Sequence, residues 1–356
     1  VGEAAAVRRG ERDSAGCGER AASRAMEVEA GAKEGGADAV AVARAGGGGE
    51  ESGDLAHHRL MFKGKGLRVL VWYNAAMMTF HAVLGAVTLG LGNLGLTVPV
   101  YELAYRLEVF PTTTTNATAT AGESPGRGWK LVPSGGRVVM QLHFTWMTAM
   151  FFFISAAFHC GNAFLWRKWY LDGIRNCMCP SRWIEYTFSA SLMALLIAYG
   201  AGSNVLQLLI CIFFLSATTM FFGHITELLA RPAQDHQTWT RHWLYRLQAH
   251  FMGYVPQIAA WVVIMISFHT IAETASATVV TEGGEVEEVR MPRFVFAIVW
   301  AELALFWGFG LTQLAVTLAP PRYYAYGELC YQIMSLVSKG LLGIILIANV
   351  LMLSEF

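Results

Sequence analysis

The chain has 356 residues, of which 54% are hydrophobic and 15% are charged, and its 26 basic side chains are balanced by 26 acidic ones. A soluble domain of this length carries more charge, and a net charge of zero gives no reason to expect a nucleic-acid partner. Residues 1–58 are rich in Gly, Ala, Glu and Arg and contain no aromatic residue, whereas long apolar runs begin near residue 69. The composition predicts a disordered tail over residues 1–58, followed by a membrane domain over residues 59–356.

Seven apolar segments follow the tail, and each is long enough to cross a bilayer as a helix, which takes about 20 residues. They cover residues 69–94, 138–165, 183–201, 204–229, 249–272, 293–318 and 327–354. A long joint, at about residues 95–137, separates the first two segments. The pattern predicts an all-α fold, a bundle of seven transmembrane helices.

Lys and Arg are concentrated in the joints on one side of the predicted bundle. One such joint contains Arg167, Lys168 and Arg175, whereas the opposite-side joint over residues 282–288 contains four glutamates. Because cytoplasmic joints are enriched in Lys and Arg, we expect a cytoplasmic N-terminus and an extracellular C-terminus. The long first joint is then extracellular. Its sequon at Asn116 is a candidate glycosylation site, with a plain solvated loop as the alternative.

A lysine in the last apolar segment carries the main chemical signal. Lys339 follows roughly twelve residues of that segment, so at about 1.5 Å per residue it lies near the bilayer centre. A free ammonium there costs several kcal/mol or loses its proton, so one interpretation is a lysine in a wet cavity or beside an acid. The sharper interpretation is a Schiff base, in which the buried amine binds a carbonyl cofactor and a nearby carboxylate keeps the imine protonated.

Glu185, at the start of the third segment, is the candidate carboxylate. Arg182 precedes it by three residues and shares its helical face, and Tyr186 adds a hydroxyl beside it. The helix dipole alone favours an acid at a helix start, but a cation, an anion and a phenol together indicate a polar network. Ser335 lies four residues before Lys339, and its hydroxyl either bonds the imine or its counterion, or bonds back to its own helix.

Other ionisable side chains fall within the apolar segments. His81 and His159 are candidates for proton relay, although a membrane histidine is more often a hydrogen-bonded packing residue. Glu302 lies well inside the sixth segment and is hard to explain as an interfacial residue. Glu227 and Glu273 end their segments, where contact with water is expected.

Aromatic residues in three of the segments are candidates for lining an apolar slot, although such residues are also ordinary packing residues. They are Trp183, Tyr186, Trp261, Phe306 and Trp307. A C-x-C pair at Cys177 and Cys179 is a weak metal signal, because two thiols alone rarely form a site. A reduced or lipidated pair is the simpler interpretation, so we expect no metal.

Four stretches of the chain resemble the heliorhodopsin family, a rhodopsin-like group of membrane proteins. SLVSKGLLGIILIANV is similar to the chromophore helix of that family, and RWIEY is similar to its counterion helix. NAAMMTFHAVLG resembles its first helix and FFFISAAFHC its second. The resemblance covers roughly residues 68–354 and includes the long first joint. The cytoplasmic N-terminus of the family agrees with the orientation that the charge pattern predicts.

The resemblance implies that Lys339 carries all-trans-retinal as a protonated Schiff base, with Glu185 as its counterion and Ser335 hydrogen-bonded near the imine. Arg182 and Tyr186 would support the cytoplasmic side of the counterion. The implied proton network comprises Arg182, Asn74, His81, Ser155, His159 and Glu227, to which we add Glu302. Glu302 departs from the family pattern, so the usual lack of pumping in the family does not carry over directly to this chain.

These features favour a light-sensing retinal photoreceptor that is not an enzyme. Light would move the imine N–H away from Glu185, and the proton would be held near the cavity of His81 and His159. Its slow return would give a long-lived state that an unknown cytoplasmic signalling partner reads. The alternative is a light-driven or light-gated proton or ion transporter, with an outward path through Glu302 and then Glu273.

Two further interpretations belong to other classes. A lipid- or enzyme-regulating membrane protein would use the joints over residues 166–182 and 230–247 for docking. A G-protein-coupled receptor is disfavoured, because the inferred orientation is opposite and no E/DRY or NPxxY pattern occurs at the expected helix ends. The family resemblance also implies a homodimer. We expect the chain in the plasma membrane, in contact with membrane lipid.

Overall fold

The structure is a computed structural model that describes residues 65–112, 126–230, 243–274, 276–280, 286–319 and 323–351. The predicted tail over residues 1–58 and the sequon at Asn116 lie outside these ranges, so both stay predictions. Most of the joint over residues 230–247 lies outside them too.

Eight α-helices lie in the described part of the chain. They are α1 (Lys65–Leu91), α2 (Phe144–Cys160), α3 (Arg167–Arg175), α4 (Pro180–Gly200), α5 (Leu206–Ala230), α6 (Trp243–Thr274), α7 (Arg293–Leu318) and α8 (Tyr324–Leu346). Short π-helical turns extend α2 over Gly161–Leu165 and α8 over Ile347–Leu351. α3 has nine residues, and the other seven helices have between 17 and 32.

Within the described residues, six helices are long and apolar enough to cross a membrane, namely α1, α2 and α5 to α8. α4 is not among the six, because it carries Arg182, Glu185 and several hydroxyl side chains. These polar side chains are buried inside the bundle, whereas Ile184 and Phe188 of the same helix are exposed. The prediction of a helical membrane protein is confirmed, and the helix with the most polar interior face is the one that hydropathy detects least well.

The two joints on one side of the bundle contain β-strands. β1 (Thr97–Thr112) and β2 (Gly126–His143) pair in antiparallel fashion, and so do β3 (Ser276–Val280) and β4 (Val286–Arg290). The first joint was predicted as a loop, and α2 begins at Phe144 rather than at the predicted 138. The last residues of β2 before α2 are mostly apolar, from Val138 to Leu142, so the hydropathy of the segment did not separate the strand from the helix that follows it.

The first hairpin is attached to one end of the bundle. We call the end at which α1, α4, α6 and α8 begin the N-terminal face, and the other end the C-terminal face. At the C-terminal face the Phe144 N–H donates to the Leu96 carbonyl at 3.2 Å. The Tyr101 N–H donates to the carbonyl of Asn204, between α4 and α5, at 2.9 Å. β1 therefore crosses that face and reaches the α4–α5 connection.

Large apolar side chains fill the half of the bundle towards the C-terminal face. Ile197 of α4, Ile264 and Phe268 of α6, Val299 of α7 and Leu346 of α8 are each at most 4% exposed and belong to one cluster. We call these five residues the C-terminal-side core. Burial of one such side chain stabilises a fold by about 1.5–3 kcal/mol, so this layer is a main source of helix packing.

α3 covers part of the N-terminal face. Its Tyr170 and Ile174 are buried in a cluster with Leu70 of α1 and Tyr324 of α8. The sequence analysis treated this stretch only as a polar joint over residues 166–182. A two-sided helix of nine residues was below the length that the hydropathy pattern detects.

Gly343 marks a close contact between α8 and α2. A Cβ atom at Gly343 would overlap the ring of Phe152, which is 0% exposed, whereas a Cβ at Gly340 would lie 3.6 Å from Phe80. We expect Gly343→Ala to lower the free energy of unfolding by about 1–3 kcal/mol through overpacking. Gly340→Ala is the matched control and should be neutral or slightly stabilising. Thermal unfolding in detergent compares the two, and equal midpoints would contradict the packing described here.

Candidate functional site

Lys339 and Glu185 form an ion pair inside the bundle. The Lys339 Nζ atom donates to Glu185 Oε1 at 2.5 Å and to the Ser155 hydroxyl at 2.6 Å. Lys339 is 2% exposed and Glu185 is 3% exposed, so bulk water does not screen the pair. The Tyr186 ring centroid lies 5.1 Å from Nζ. An amine and a carboxylate from α8 and α4 thus meet where a Schiff base and its counterion were predicted, and those two roles stay predictions.

A cavity between α4, α5, α6, α7 and α8 reaches Lys339. Binding sites for small molecules are concave and lined mainly by apolar and aromatic side chains. Five of the predicted pocket residues line it: Trp183, Tyr186, Phe306, Trp307 and Ser335. Met193, Met220 and Phe309 add further apolar wall. The lysine therefore opens onto a largely apolar space suited to a hydrophobic ligand.

Two predicted pocket residues make contacts that differ from the predicted ones. Trp261 does not line the cavity but packs edge-on against Phe306, with ring centroids 5.4 Å apart, in the wall behind it. Ser335 lines the cavity, but the hydroxyl that accepts from Lys339 belongs to Ser155 of α2. The Lys339 side chain extends from α8 towards α2 and α4, and its amine therefore leaves the turn on which Ser335 lies.

Arg182 pairs with two glutamates other than Glu185. Its guanidinium forms ion pairs with Glu227 of α5 and Glu328 of α8, and all three side chains are at most 3% exposed. The guanidinium also lies 3.9 Å from the centroid of the Tyr331 ring. The three-residue spacing placed Arg182 on the helical face of Glu185, and the long Arg182 side chain reaches across from that face to two other helices. We call Arg182, Glu227 and Glu328 the arginine cluster.

Glu227 is the more strongly bonded acid of the arginine cluster. It accepts from the Trp183 indole at 2.7 Å, from the Tyr324 hydroxyl at 2.8 Å and from the Cys179 backbone N–H at 3.0 Å. The last bond satisfies a free N–H at the start of α4. The acid predicted as part of the network therefore joins α5, α4 and α8.

Glu328 was missed by the sequence analysis. It accepts from Gln332 at 3.2 Å and from the Tyr170 hydroxyl at 3.3 Å, besides its ion pair with Arg182. A signal was available, because Glu328, Gln332, Ser335 and Lys339 recur at helical spacing along the buried face of α8. The position was overlooked because it lies at the start of the last apolar segment, where an acid is expected to be wet.

The two histidines lie on the same side of Lys339 as the arginine cluster. His81 and His159 are buried and stacked, with ring centroids 5.6 Å apart. The His159 Nδ1 atom is 2.8 Å from Asn74 Oδ1, and the Asn74 amide donates to the Tyr170 hydroxyl at 3.2 Å. Because Tyr170 in turn donates to Glu328, a hydrogen-bonded chain leads from His159, on which His81 stacks, to α3 at the N-terminal face.

Glu302 points into the bundle and not towards lipid. It is 0% exposed, and its Oε2 atom accepts from the Ser338 hydroxyl at 2.6 Å. Its Oε1 atom has no hydrogen-bond partner among the described residues. Glu273 is exposed and pairs with His269 at 3.3 Å, at the end of α6. The two acids of the predicted outward path are therefore in different surroundings.

The C-x-C pair lies between α3 and α4, beside the arginine cluster. Burial raises the pKa of the Cys177 thiol and of the Cys179 thiol, and the neighbouring carboxylates add to the effect. Both groups are therefore thiols at neutral pH, and a thiolate is the form that binds metal. Among the described residues, no three His, Cys, Asp or Glu side chains are grouped so as to hold a metal ion.

A buried lysine that pairs with a carboxylate at an apolar cavity, inside a bundle of membrane helices, is the site of a rhodopsin, in which the lysine binds retinal. The sequence profile of the heliorhodopsin family matches residues 70–351, and the chain belongs to that family. It is therefore an integral membrane protein and a light-responsive rhodopsin with a retinal chromophore. The residues present fit retinal, because the amine has a carboxylate at 2.5 Å and opens onto the apolar cavity.

No curated protein sequence matches this chain. Among solved structures, a light-driven proton pump, LR (Mac), from Leptosphaeria maculans is similar at 10% sequence identity. The similarity covers 80% of this chain and 94% of that chain, with a TM-score of 0.39. At that TM-score the similarity supports no inference about this protein.

Arg182→Gln would leave the carboxylates of Glu227 and Glu328 without their shared cation. We expect a loss of about 3–5 kcal/mol in the free energy of unfolding, as for other buried ion pairs broken on one side. Arg175→Gln is the matched control, because the pair between Arg175 and Asp172 is half exposed and such pairs contribute about 0–1 kcal/mol. Thermal unfolding measures both variants. A midpoint for Arg182→Gln as high as that of the control would mean that the arginine cluster does not stabilise the fold.

Proposed function

We propose that this heliorhodopsin is a light sensor that signals at its N-terminal face, and not a transporter or an enzyme. The observation that carries the proposal is the one-sided distribution of buried polar groups. Hydrogen-bonded side chains lead from His159, near Lys339, to the N-terminal face, whereas the C-terminal-side core fills the other half. The buried α8 residues beyond Lys339 are Gly340, Leu342, Gly343, Leu346, Ile347 and Leu351. The buried histidines, which can accept a displaced proton, thus lie towards the N-terminal face, whereas Glu302 is the buried acid on the other side in the described part of the chain.

In our proposal the N-terminal face is the cytoplasmic face. α4 crosses the membrane as well, which brings the number of crossings to seven. α3 presents the exposed side chains of Arg167, Lys168 and Arg175 at this face, and basic residues favour the cytoplasmic side. α4 has the length of a crossing, with 21 residues, and its polar side chains are covered by its neighbours. The membrane is in our proposal the plasma membrane.

The proposed dark state uses Lys339 to hold all-trans-retinal as a protonated Schiff base, which supplies a light-driven double-bond isomerisation. Glu185 stabilises the positive charge at the Lys339 nitrogen, and Ser155 fixes the direction of its N–H. When the N–H turns away from Glu185, an attraction that is strong in a dry site is lost, and the nitrogen releases its proton. The stacked pair of His81 and His159 holds that proton during the long-lived state.

The proposed output passes through α3. Tyr170 joins this helix to Asn74 and Glu328 by hydrogen bonds, so a change of charge near His159 reaches α3 through groups in contact. The exposed side of α3 includes Arg167, Lys168 and Trp169. We propose that a cytoplasmic signalling protein docks there, on a homodimer of this chain.

A light-driven or light-gated transporter is the second candidate. The observation in its favour is the inward orientation of Glu302. This side chain is buried and accepts a hydrogen bond from Ser338, the residue that precedes Lys339. A conducting path would have to continue from Glu302 to the C-terminal face. Val295, Ile298 and Val299 are the buried α7 residues on that route, and none of them can hold a proton.

Lys339→Ala removes the amine that binds the chromophore. We expect the variant to form no visible pigment with all-trans-retinal, whereas Lys168→Ala, at an exposed lysine of α3, should absorb as the parent does. Absorption spectra of membranes incubated with retinal compare the two. Addition of a retinal–alkylamine Schiff base should restore colour to Lys339→Ala if the cavity is folded. Parent-like absorption by Lys339→Ala without that addition would disprove the site.

Voltage-clamp recording under light flashes decides between sensor and transporter. We expect no light-evoked current at any holding voltage from cells that express the coloured protein. A current that reverses with the proton gradient would mean a channel, and one that persists against that gradient would mean a pump. Either current would contradict the sensor proposal, and its loss in Glu302→Gln would place Glu302 on the path.

A further inference from the structure

We propose that Glu302 is a second carboxyl partner of the Lys339 nitrogen, neutral in the dark and ionised after light has turned the N–H away from Glu185. This inference rests on the proposed retinal site and gives Glu302 a role inside the photocycle instead of on a transport path. It makes Glu302 and Ser338 a proton donor pair for Lys339, on the side of the nitrogen that Glu185 does not occupy.

The surroundings of Glu302 differ from those of the other buried acids. Among the described residues, four glutamates are buried, and three of them contact a cation: Glu185 contacts Lys339, while Glu227 and Glu328 contact Arg182. Glu302 contacts no cation in that part of the chain, and a hydroxyl is its hydrogen-bond partner. An isolated carboxylate in an apolar interior costs far more than one hydroxyl returns, so the group keeps its proton.

Glu185 and Glu302 lie on helices that enter the bundle from opposite faces, and each is nearer to the face at which its own helix begins. Glu185 lies five residues into α4, about 8 Å from the N-terminal face, and Glu302 lies nine residues into α7, about 14 Å from the C-terminal face. Ser338 bonds Glu302, precedes Lys339 in α8 and lines the same cavity as Lys339. In our proposal the Lys339 nitrogen, once its proton has passed to the histidines, faces Ser338 within this cavity.

In the described part of the chain, the Ser338 hydroxyl is the hydrogen-bond partner through which Glu302 can pass its proton. Towards the C-terminal face the buried α7 side chains are Val295, Ile298 and Val299, which neither donate nor accept a proton. Towards the cavity stands the Ser338 hydroxyl, which can do both. After Lys339 Nζ has released its own proton towards the histidines, one O–H bond breaks at Glu302 and one N–H bond forms at Nζ. The new ion pair replaces the one lost with Glu185, and the reverse transfers restore the dark state.

Light-minus-dark infrared difference spectra of the pigment test the transfer directly. In the parent we expect depletion of one C=O stretching band of a protonated carboxyl group in the long-lived state. The depletion should be absent in Glu302→Gln and moved in frequency in Ser338→Ala, which removes the hydrogen bond. Glu102→Gln is the matched control, because Glu102 is an exposed acid of β1 that pairs with Arg137 away from the site, and the variant should leave the band unchanged. A depletion that persists unmoved in Glu302→Gln, or a parent without one, would overturn the proposal.

Two measurements keep the test decisive. If Glu302→Gln forms no pigment, Glu302→Asp retains the acid and should move the same band. Thermal unfolding without retinal tests whether the Glu302 carboxyl group is charged in the dark. If it is neutral, Glu302→Gln replaces a neutral acid by a neutral amide and should unfold at the midpoint of the parent. Glu185→Gln should unfold at a lower midpoint, because it leaves Lys339 unpaired. A midpoint of Glu302→Gln as low as that of Glu185→Gln would mean that Glu302 is ionised in the dark.

The infrared spectra test the role of Glu302, and the electrical recordings test the sensor proposal, so one proposal can be contradicted without the other. A band lost in Glu302→Gln together with a light-evoked current would support the role of Glu302 and contradict the sensor. An unchanged band without a current would support the sensor and contradict the role of Glu302.

Discussion

A charge that has left water needs an opposite charge inside the protein, and Lys339 imposes that requirement on the whole bundle. Lys339 is 2% exposed, and its amine donates hydrogen bonds to Glu185 of α4 and to Ser155 of α2. α4 must then carry a polar face into the bundle, so the neighbouring helices must cover that face, while Ile184 and Phe188 give the helix an apolar outer side. The buried ion pair thereby determines which side of α4 packs against the other helices.

The remaining polar groups follow from the same constraint. Arg182, one turn before Glu185, is buried as well and needs its own anions, which α5 and α8 supply as Glu227 and Glu328. Each added group brings hydrogen-bond partners, until the network reaches Tyr170 of α3. In the described part of α7 the buried residues between Glu302 and the C-terminal face are apolar, and at that end the packing of the C-terminal-side core is joined by neutral hydrogen bonds such as the one between Ser203 and Ser267.

The buried pair of a lysine and a carboxylate was predictable from the sequence, because a charge inside a membrane is costly. Lys339 and Glu185 stand in apolar segments, where few interpretations are open to an ionisable side chain. Partner choice was not predictable in the same way. Whether Arg182 bonds Glu185 or Glu328 depends on helix rotation and side-chain reach, which no spacing rule contains. The hairpins and α3 were missed for a different reason, because alternation over short stretches and a helix of nine residues are weak signals beside spans of twenty. Trp261 was misplaced because an aromatic residue one layer behind a cavity has the same composition signal as one that lines it.

The C-terminal-side core has an electrical consequence. A charge carried across the whole membrane changes energy by about 2.3 kcal/mol per 100 mV, and the change scales with the fraction of the thickness crossed. In our proposal the exchange between Lys339, Ser338 and Glu302 stays on one side of the apolar layer from Ile197 to Leu346, so it crosses only part of the membrane thickness. The membrane field therefore does only a fraction of that work on the exchange. The populations of the two states at this site then depend more on the light intensity than on whether the cell is polarised or depolarised.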